Sequence, residues 1–396
     1  MAQDAVRPRT SKQFTPRELA DLKRTVQTRT LTRRGVERDP AYATPLPREI
    51  SLQLTYKCNL RCVHCFQWSE DGFFQDFSHS RAQTEIPPAL VADLLAFTEP
   101  VRAKVFLWGG EPLMHSRFGE IAALLAEHER TVNMCTNGLL LERNLEHLLR
   151  IGDRLNLLVS LDGLGADHDA LRGGGTFART VRNLEAMLQR QRAGEFGGEI
   201  SLSCMVSDAT APNLYSFMEW AEERGVNTVY FQFPWYISPE AAGAMDELYA
   251  EHFGWLNPPA DGAKGTWHSY NYRLSAEHTA VVQESMRALA ARTWRCRIRY
   301  QPQVGVEEAP GFLRGETEPA QGRRRCLAIS NRMEVHADGK VSSCKFFPEF
   351  VIGDLHDAPA ETIWQSEDFR RVRTVLHGTN LMPVCSKCIL LYLNGV

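Results

Sequence analysis

The sequence predicts an α/β fold in which a parallel sheet forms a partial (β/α)6 barrel of the TIM type. Three observations predict this fold. From about residue 48, short apolar runs of strand length alternate with longer amphipathic stretches of helical period. Alternation of strand and helix is typical of a parallel sheet that is covered by helices. Six such strand runs are present, which is enough for an incomplete barrel.

The composition narrows the class of protein. The chain has 396 residues, 43% of them hydrophobic and 23% charged, as in a globular protein of one large or two ordinary domains. Its formal net charge of −3 predicts no general attraction to nucleic acid or to a membrane surface. Without an apolar run of membrane-spanning length or a secretory signal pattern, we expect a cytoplasmic protein. Ten cysteines in that setting favour metal or redox chemistry over disulfides.

Residues 1–45 form a polar and basic N-terminal arm. Thr15 is placed as a helix N-cap, Pro16 follows at the first helical position, and Glu18 completes a capping box. These residues predict a short helix within a flexible arm.

The predicted barrel occupies residues 46–240. Its strands, in order, are EISLQLT, KVFLWGG, VNMCTNG, LNLLVSLDG, ISLSCMVS and TVYFQFPW. The helices between them are IPPALVADLLAFTE, FGEIAALLAEHE, LERNLEHLLRIG, TFARTVRNLEAMLQRQ and NLYSFMEWAEERG. In such barrels the loops that follow the carboxyl ends of the strands carry the functional site. The segment TYKCNLRC follows the first strand, so it lies where chemistry is expected.

Three cysteines in that loop, Cys58, Cys62 and Cys65, follow the spacing C-x3-C-x2-C. A cubane iron–sulfur cluster has four irons, each normally bound by one thiolate. Three thiolates leave one iron open to bind a small molecule. A structural zinc site is the alternative, but it requires four ligands and His64 would have to be the fourth.

The loop and the motifs after it resemble those of the radical S-adenosylmethionine (radical SAM) superfamily. GGEP ends the second strand, and TNG, SLDG and HDALR follow later strands. The resemblance implies that the three cysteines hold a [4Fe–4S] cluster whose open iron is chelated by SAM. It also implies a set of SAM contacts. These are Gly109, Gly110 and Glu111 to the methionine amino group, Ser160 and Arg172 to the ribose or carboxylate, and His64 to the adenine.

A second cysteine set lies in residues 321–396. Its members are Cys326, Cys344, Cys385 and Cys388, in the pattern C-x12-G-x4-C followed by CSKC. RMEVHADGKVSSC predicts a β-hairpin that turns at Asp338–Gly339, and PAETIWQSEDFRRVRTVL predicts one helix. Four such cysteines suit a zinc ribbon-like site or an iron–sulfur cluster. The arrangement resembles the twitch form of the SPASM domain, which implies one fully ligated auxiliary [4Fe–4S] cluster that exchanges electrons.

Residues 241–320 are predicted to be a less regular bridging region. Its aromatic residues, from QFPWYIS to WHSYNY, either line a substrate pocket or pack as a hydrophobic insertion on the barrel. Gln232 on the last strand is a candidate for facing the cavity. Cys135 and Cys204, which lie in apolar strand runs, are expected to be core residues, and Cys296 is expected to have a structural role.

The resemblance implies a radical SAM oxidoreductase. A reductant such as flavodoxin or ferredoxin charges the first cluster, and SAM cleavage gives a 5′-deoxyadenosyl radical that removes hydrogen from a substrate. We expect an amino-sugar-like metabolite or a peptide as substrate. The alternatives are a peptide maturase that forms cross-links or thioethers, an epimerase, and a zinc-stabilised binding protein without enzymatic activity. No residue is singled out as a proton acceptor.

Overall fold

A single sheet of ten strands organises the fold in the computed structural model, which describes residues 7–257, 264–316, 320–378 and 381–396. In chain order the strands are β1 (Glu49–Gln53), β2 (Lys104–Trp108), β3 (Val132–Thr136), β4 (Leu155–Ser160), β5 (Glu199–Met205), β6 (Thr228–Gln232), β7 (Arg297–Gln301), β8 (Arg332–Val335), β9 (Lys340–Ser342) and β10 (Val351–Asp354). Their order in the sheet is β10-β9-β8-β1-β2-β3-β4-β5-β6-β7. Strands β8 and β1–β7 are paired in parallel, which confirms the six predicted strands and their order.

Helices connect these strands. They are α1 (Pro16–Arg38), α2 (His79–Ala82), α3 (Pro88–Phe97), α4 (Phe118–Glu127), α5 (Leu145–Ile151), α6 (Ala166–Arg172), α7 (Thr176–Arg192), α8 (Leu214–Arg224), α9 (Pro239–Phe253), α10 (His278–Ala291), α11 (Ala309–Leu313), α12 (Ala328–Asn331), α13 (Ala360–Trp364), α14 (Glu367–Gly378) and α15 (Ile389–Asn394). The five helices predicted between the strands are confirmed as α3, α4, α5, α7 and α8. In the part of the chain that the structure describes, no helix has both the length and the apolar character needed to cross a membrane.

The two faces of the sheet have different environments because side chains alternate along a strand. On β2, Val105 and Leu107 are fully buried in a core that includes Leu94 of α3 and Ile121 of α4. The residues between them, such as Phe106, are only partly buried and point to the opposite, interior face. Helix packing therefore stabilises one face, while the other face is left to line a site.

The sheet extends beyond the six predicted strands on the side of β6. Strand β7 pairs with β6 in parallel, from Thr228 opposite Arg297 to Gln232 opposite Gln301. The region 241–320 is therefore more regular than predicted, since it also contains most of α9 and all of α10. A short parallel pair outside the main sheet joins Arg9–Thr10 to Thr293–Trp294.

The C-terminal hairpin extends the sheet on the side of β1. Strands β8 and β9 are antiparallel and turn at the predicted position, where Gly339 has φ +79°. Strand β8 pairs in parallel with β1, from Arg332 opposite Glu49 to Val335 opposite Leu52. The single helix predicted at 359–376 is wrong: α13 and α14 are separate because the Ser366 hydroxyl accepts a hydrogen bond from Phe369 N (3.2 Å) and starts a new helix.

The N-terminal helix is longer than predicted. Helix α1 has 23 residues, and its predicted capping box between Thr15 and Glu18 is present. The helix is docked on the barrel, because Glu18 accepts a hydrogen bond from Arg297 Nη1 (2.5 Å) and Asp21 pairs with Lys104 at 3.8 Å. The prediction of a flexible arm is therefore wrong for this helix.

Candidate functional site

The three-cysteine loop lies directly after β1, at the edge of the sheet where the parallel strands end. Backbone N–H groups are directed at two of its sulfurs, Leu60 N at Cys58 Sγ (3.4 Å) and Trp68 N at Cys65 Sγ (3.3 Å). Burial raises the pKa of the Cys58 thiol to about 12 and that of Cys62 to about 11, and the neighbouring thiols add to the shift. Three neighbouring thiols with raised pKa values need nearby positive charge to become thiolates, and bound iron would supply that charge. The donor set therefore fits a cluster.

The GGEP segment packs against the backbone of this loop. Gly110 N donates to Thr55 O (2.9 Å) and Glu111 N donates to Lys57 O (2.7 Å). A Cβ atom on Gly110 would lie 2.1 Å from Lys57 O, and Gly109 has φ +155°. Both glycines are therefore required for this close approach of two backbones.

The Glu111 side chain connects GGEP to the end of β3. Its carboxylate accepts hydrogen bonds from Thr136 Oγ1 (2.7 Å), Asn137 N (2.7 Å) and Leu113 N (3.1 Å). Burial raises its pKa, since the side chain is 1% exposed. Glu111 thus orients the loop after β2, and its contact with the SAM amino group stays a prediction.

Asp162, a buried carboxylate that was not among the predicted site residues, contacts two that were, Arg172 and His64. Its Oδ2 accepts a hydrogen bond from Arg172 Nε (2.5 Å) and lies 3.6 Å from His64 Nε2. Arg172 Nη1 in turn donates to Cys62 Sγ (3.7 Å). Asp162 follows β4 in the SLDG segment, and its position after a parallel strand is the signal that would have identified it.

The charges around Asp162 keep its carboxylate ionised. Burial would raise the pKa of Asp162, but Arg172 and His64 lower it more strongly, so it lies below the usual value. Burial also lowers the pKa of His64 to about 4, which leaves its imidazole neutral at neutral pH. His64 Nδ1 is buried and has no hydrogen-bond partner within the described residues. A polar ligand group beside the three-cysteine loop would satisfy it.

Ser160 and the three cysteines outside the two cysteine sets lie on the interior face of the sheet or in the core. Ser160 is the last residue of β4 and lies opposite Ser203 of β5, on the interior face. Cys204 and Cys296 are buried in the core, as predicted. Cys135 differs: it lies on the interior face of β3 and is only partly buried, so it is not a core residue.

The four C-terminal cysteines come together around one cavity, here called the four-cysteine cavity. Cys326, Cys344, Cys385 and Cys388 all line it. Burial raises the pKa of Cys388 well above its usual value, and the other three thiols raise it further. Within the described ranges no three His, Cys, Asp or Glu side chains are close enough to bind a single metal ion, whereas a cubane spreads its thiolates over four irons. A closed set of four thiols fits such a cluster.

Two further cavities lie between the two cysteine sets. The Gln232 cavity, about 180 Å³, is lined by Gln232, Trp235, Tyr272 and Cys65 among others. The Lys345 cavity, about 400 Å³, is lined by Gln53, Gln67, Trp108, His336 and Lys345 and by several aromatic rings. Phe346 belongs to both linings, and the predicted interior orientation of Gln232 is confirmed.

Known proteins share both the fold and the motif-bearing segments. A family model described as the radical SAM superfamily matches residues 52–200, and one described as an iron–sulfur cluster-binding domain matches residues 326–389. The mycofactocin maturase MftC of Mycobacterium tuberculosis is 30% identical over 82% of this chain and 72% of its own length. The chain belongs to the radical SAM superfamily.

Other relatives agree with this assignment. The AdoMet-dependent heme synthase of Methanosarcina barkeri is 27% identical over 83% of this chain and 86% of its own length. The crystal structure of Streptococcus suis SuiB bound to its precursor peptide SuiA superposes with a TM-score of 0.58 over 90% of this chain and 71% of that chain, at 13% identity, which shows the fold alone. As a radical SAM enzyme with a SPASM domain, the chain uses SAM and two [4Fe–4S] clusters. The individual ligands remain the predicted cysteines.

Proposed function

We propose that this radical SAM enzyme is a peptide maturase, which oxidises a residue of a peptide substrate. The observation that carries the proposal is the pair of cavities at the carboxyl edge of the sheet, between the three-cysteine loop and the four-cysteine cavity. Both cavities have aromatic walls that suit the side chains of a peptide. The names of MftC, a maturase, and of SuiB, bound to a precursor peptide, agree with this substrate class.

The residues of the chain bind and orient the reactants. When bound, the first cluster and SAM supply a radical that removes a hydrogen atom from the substrate. Asp162 holds Arg172 beside Cys62, and Glu111 holds the GGEP backbone against the three-cysteine loop. In the Gln232 cavity, Gln232 Nε2 donates to Gln301 Oε1 (2.5 Å), so the two amides fix each other across β6 and β7. The ring centroids of Trp235 and Tyr270 lie 4.7 Å apart, and this packing helps to exclude water.

The predicted amino-sugar substrate and the epimerase and cross-linking alternatives differ from this proposal in their products. Oxidation removes two electrons from the substrate for each SAM cleaved, whereas epimerisation is redox-neutral. The mass of the peptide product separates oxidation from epimerisation, because oxidation removes two hydrogens and inversion leaves the mass unchanged. Formation of a cross-link also removes two hydrogens, so fragmentation of the peptide is needed to show whether two residues have become joined. Flavodoxin or ferredoxin stays the predicted reductant, and dithionite replaces it in the assay.

The test begins with anaerobically purified protein. We expect about eight irons and eight sulfides per chain, and release of 5′-deoxyadenosine from SAM after reduction by dithionite. The triple substitution of Cys58, Cys62 and Cys65 by Ala should halve the iron content and abolish 5′-deoxyadenosine. Cys296→Ala, a buried cysteine outside the site, is the control and should retain both. Zinc without iron in the wild type, or 5′-deoxyadenosine from the triple variant, would refute the proposal.

A further inference from the structure

The Lys345 cavity has the features of a binding site. Gln53 and Trp108 end β1 and β2, His336 follows β8, and Gln67 follows the three-cysteine loop. Because these strands are adjacent and parallel, their carboxyl ends bring Gln53, Trp108 and His336 to one place, and Gln67 lines the same cavity. Five aromatic residues, Tyr56, Phe73, Phe74, Phe77 and Phe346, form part of the remaining wall.

Lys345 supplies an unpaired buried cation. It is 8% exposed, and its Nζ lies 3.8 Å from the ring centroid of Phe106 and 4.5 Å from that of Trp108. In the described part of the chain, no carboxylate lies within 4.0 Å of its Nζ, although most buried charges have a partner. Two carboxylates, Glu334 and Glu49, attract Lys345 from farther away, but both are paired with Arg332. The faces of the neighbouring aromatic rings do not replace an anion.

Further N–H donors around this lysine also lack partners. Gln53 Oε1 accepts a hydrogen bond from His336 Nδ1 (3.0 Å), which leaves the Gln53 amide nitrogen without an acceptor. Gln67 Nε2 and Trp108 Nε1 are buried and unpaired as well. A buried donor without a partner is destabilising, so three of them in a lining that also contains a cation indicate a missing acceptor.

The acidic residues of the lining do not fill this role. The Glu349 carboxylate already accepts hydrogen bonds from Thr266 N (2.6 Å) and Thr266 Oγ1 (2.8 Å). Asp76 and Arg81 also line the cavity, but both are exposed to solvent and their charges are opposite. The buried part of the cavity therefore offers one cation and three unpaired donors, with aromatic surface and one unpaired acceptor, His336 Nε2, beside them.

We propose that the Lys345 cavity binds a carboxylate attached to an aromatic or apolar body, such as the C-terminal residue of a peptide or a small aryl carboxylic acid. Lys345 and the amide of Gln53 would receive the carboxylate, and the aromatic wall would contact the body. This inference deepens the proposed function and rests on it, because it states how the substrate is held.

An alternative role for Lys345 is to balance the charge of the auxiliary cluster, since Cys344 precedes it. Lys387 offers a matched control. It is 4% exposed, lies between Cys385 and Cys388, and its Nζ is 4.5 Å from the ring centroid of Phe312. Unlike Lys345, its Nζ donates to a carbonyl, Phe312 O (3.0 Å), and it lines the Gln232 cavity and not the Lys345 cavity. The comparison therefore also shows which of the two cavities receives the carboxylate.

Binding of N-acetylphenylalanine and of its amide to the cluster-loaded, SAM-bound enzyme tests the proposal by anaerobic calorimetry. We expect wild type to prefer the acid by about tenfold or more. Lys345→Met should remove this preference, Lys345→Arg should keep it within about threefold, and Lys387→Met should leave it unchanged. Iron content and the potential of the auxiliary cluster, measured on the same variants, show whether Lys345→Met acts through the cluster instead.

Equal binding of acid and amide by wild type would overturn the inference, as would an unchanged preference in Lys345→Met or an equal loss in Lys387→Met. A free tripeptide ending in phenylalanine and 3-phenylpropionate distinguish the two sources of the carboxylate, and tighter binding of either supports the site. Release of 5′-deoxyadenosine is measured in parallel. Its absence in wild type would refute the proposed function, whereas its presence with no acid preference would refute this inference alone.

Discussion

Gly110 lies where the loop after β2 and the three-cysteine loop approach each other closely. A methyl group there would overlap Lys57 O at 2.1 Å and Lys57 C at 2.5 Å, and neither atom belongs to a flexible side chain. The loop after β2 would have to move away from the three-cysteine loop. The hydrogen bond from Glu111 N to Lys57 O depends on this contact.

Substitution Gly110→Ala should therefore separate the two loops. We expect a loss of about 1–3 kcal/mol in the free energy of unfolding and a decrease of about tenfold or more in 5′-deoxyadenosine formation. Gly243→Ala is the matched control, because Gly243 lies within α9 and its Cβ would meet no atom within 4 Å. The free energy of unfolding of that variant should rise by about 0.5–1 kcal/mol, and its rate of 5′-deoxyadenosine formation should equal that of wild type. Equal activity in both variants would contradict the steric argument.

At the scale of elements, the attachment of α1 to the barrel depends on a cluster of two carboxylates and one guanidinium. Arg297 Nη1 donates to Glu18 Oε1 (2.5 Å) and lies 3.6 Å from Glu199 Oε1. Burial, with the adjacent Glu18, raises the pKa of Glu199 to about 7. For Glu18, burial opposes the shift, but hydrogen bonds from Glu199, Arg297 and Thr15 lower the pKa to about 2. The pair therefore holds one proton near neutral pH, on Glu199.

The sign of the pH dependence follows from the raised pKa of Glu199. An acid whose folded pKa exceeds its unfolded value stabilises the fold fully below about pH 4.5 and loses that contribution as pH rises through about 7. Glu199→Gln keeps the hydrogen bond and removes the titration. We expect this variant to exceed wild type in the free energy of unfolding by more at pH 8 than at pH 5.5, with the difference between the two proteins growing by on the order of 1 kcal/mol.

Thermal unfolding followed by circular dichroism at both pH values measures this difference. Glu223→Gln, on the exposed surface of α8, is the control and should keep the wild-type pH dependence. A wild-type melting temperature that does not fall between pH 5.5 and 8 would contradict the assigned protonation of Glu199.

The elements also show what sequence patterns can predict. Strands β1–β6 were predictable because their sequences contain apolar residues, such as Leu52 and Leu107, that pack against the helices. On most of these strands such residues alternate with residues on the opposite, interior face of the sheet. Strand β7 was not predictable, because Arg297 resembles a surface residue until Glu18 pairs with it. Strand β8 was predicted as an arm of the C-terminal hairpin, but its pairing with β1 was not, because Arg332 resembles a surface residue until Glu49 of β1 pairs with it. The two cysteine sets were predictable from spacing. The Lys345 cavity was not, because its lining comes from segments far apart in the chain.

At the scale of the whole molecule, the sheet joins the two cysteine sets into one structure. Strand β8 pairs with β1, so the first cysteine loop and the C-terminal hairpin lie on neighbouring parallel strands. The auxiliary ligands differ in how closely they are tied to this sheet. Cys344 lies just after β9, whereas Cys385 and Cys388 lie in the turn that precedes α15, outside the sheet. Substitutions at the last two therefore leave the pairing of β8 with β1 intact.

This difference allows the two clusters to be separated by experiment. In the double variant Cys385→Ala and Cys388→Ala, we expect iron to fall from about eight to about four per chain, while far-ultraviolet circular dichroism stays unchanged. Release of 5′-deoxyadenosine should remain within about threefold of wild type, because the three-cysteine loop, Glu111 and Asp162 are untouched. The oxidised peptide product should be lost, because a fully ligated auxiliary cluster is the proposed acceptor of the substrate electron. Retention of product with only four irons would show that another acceptor takes this electron.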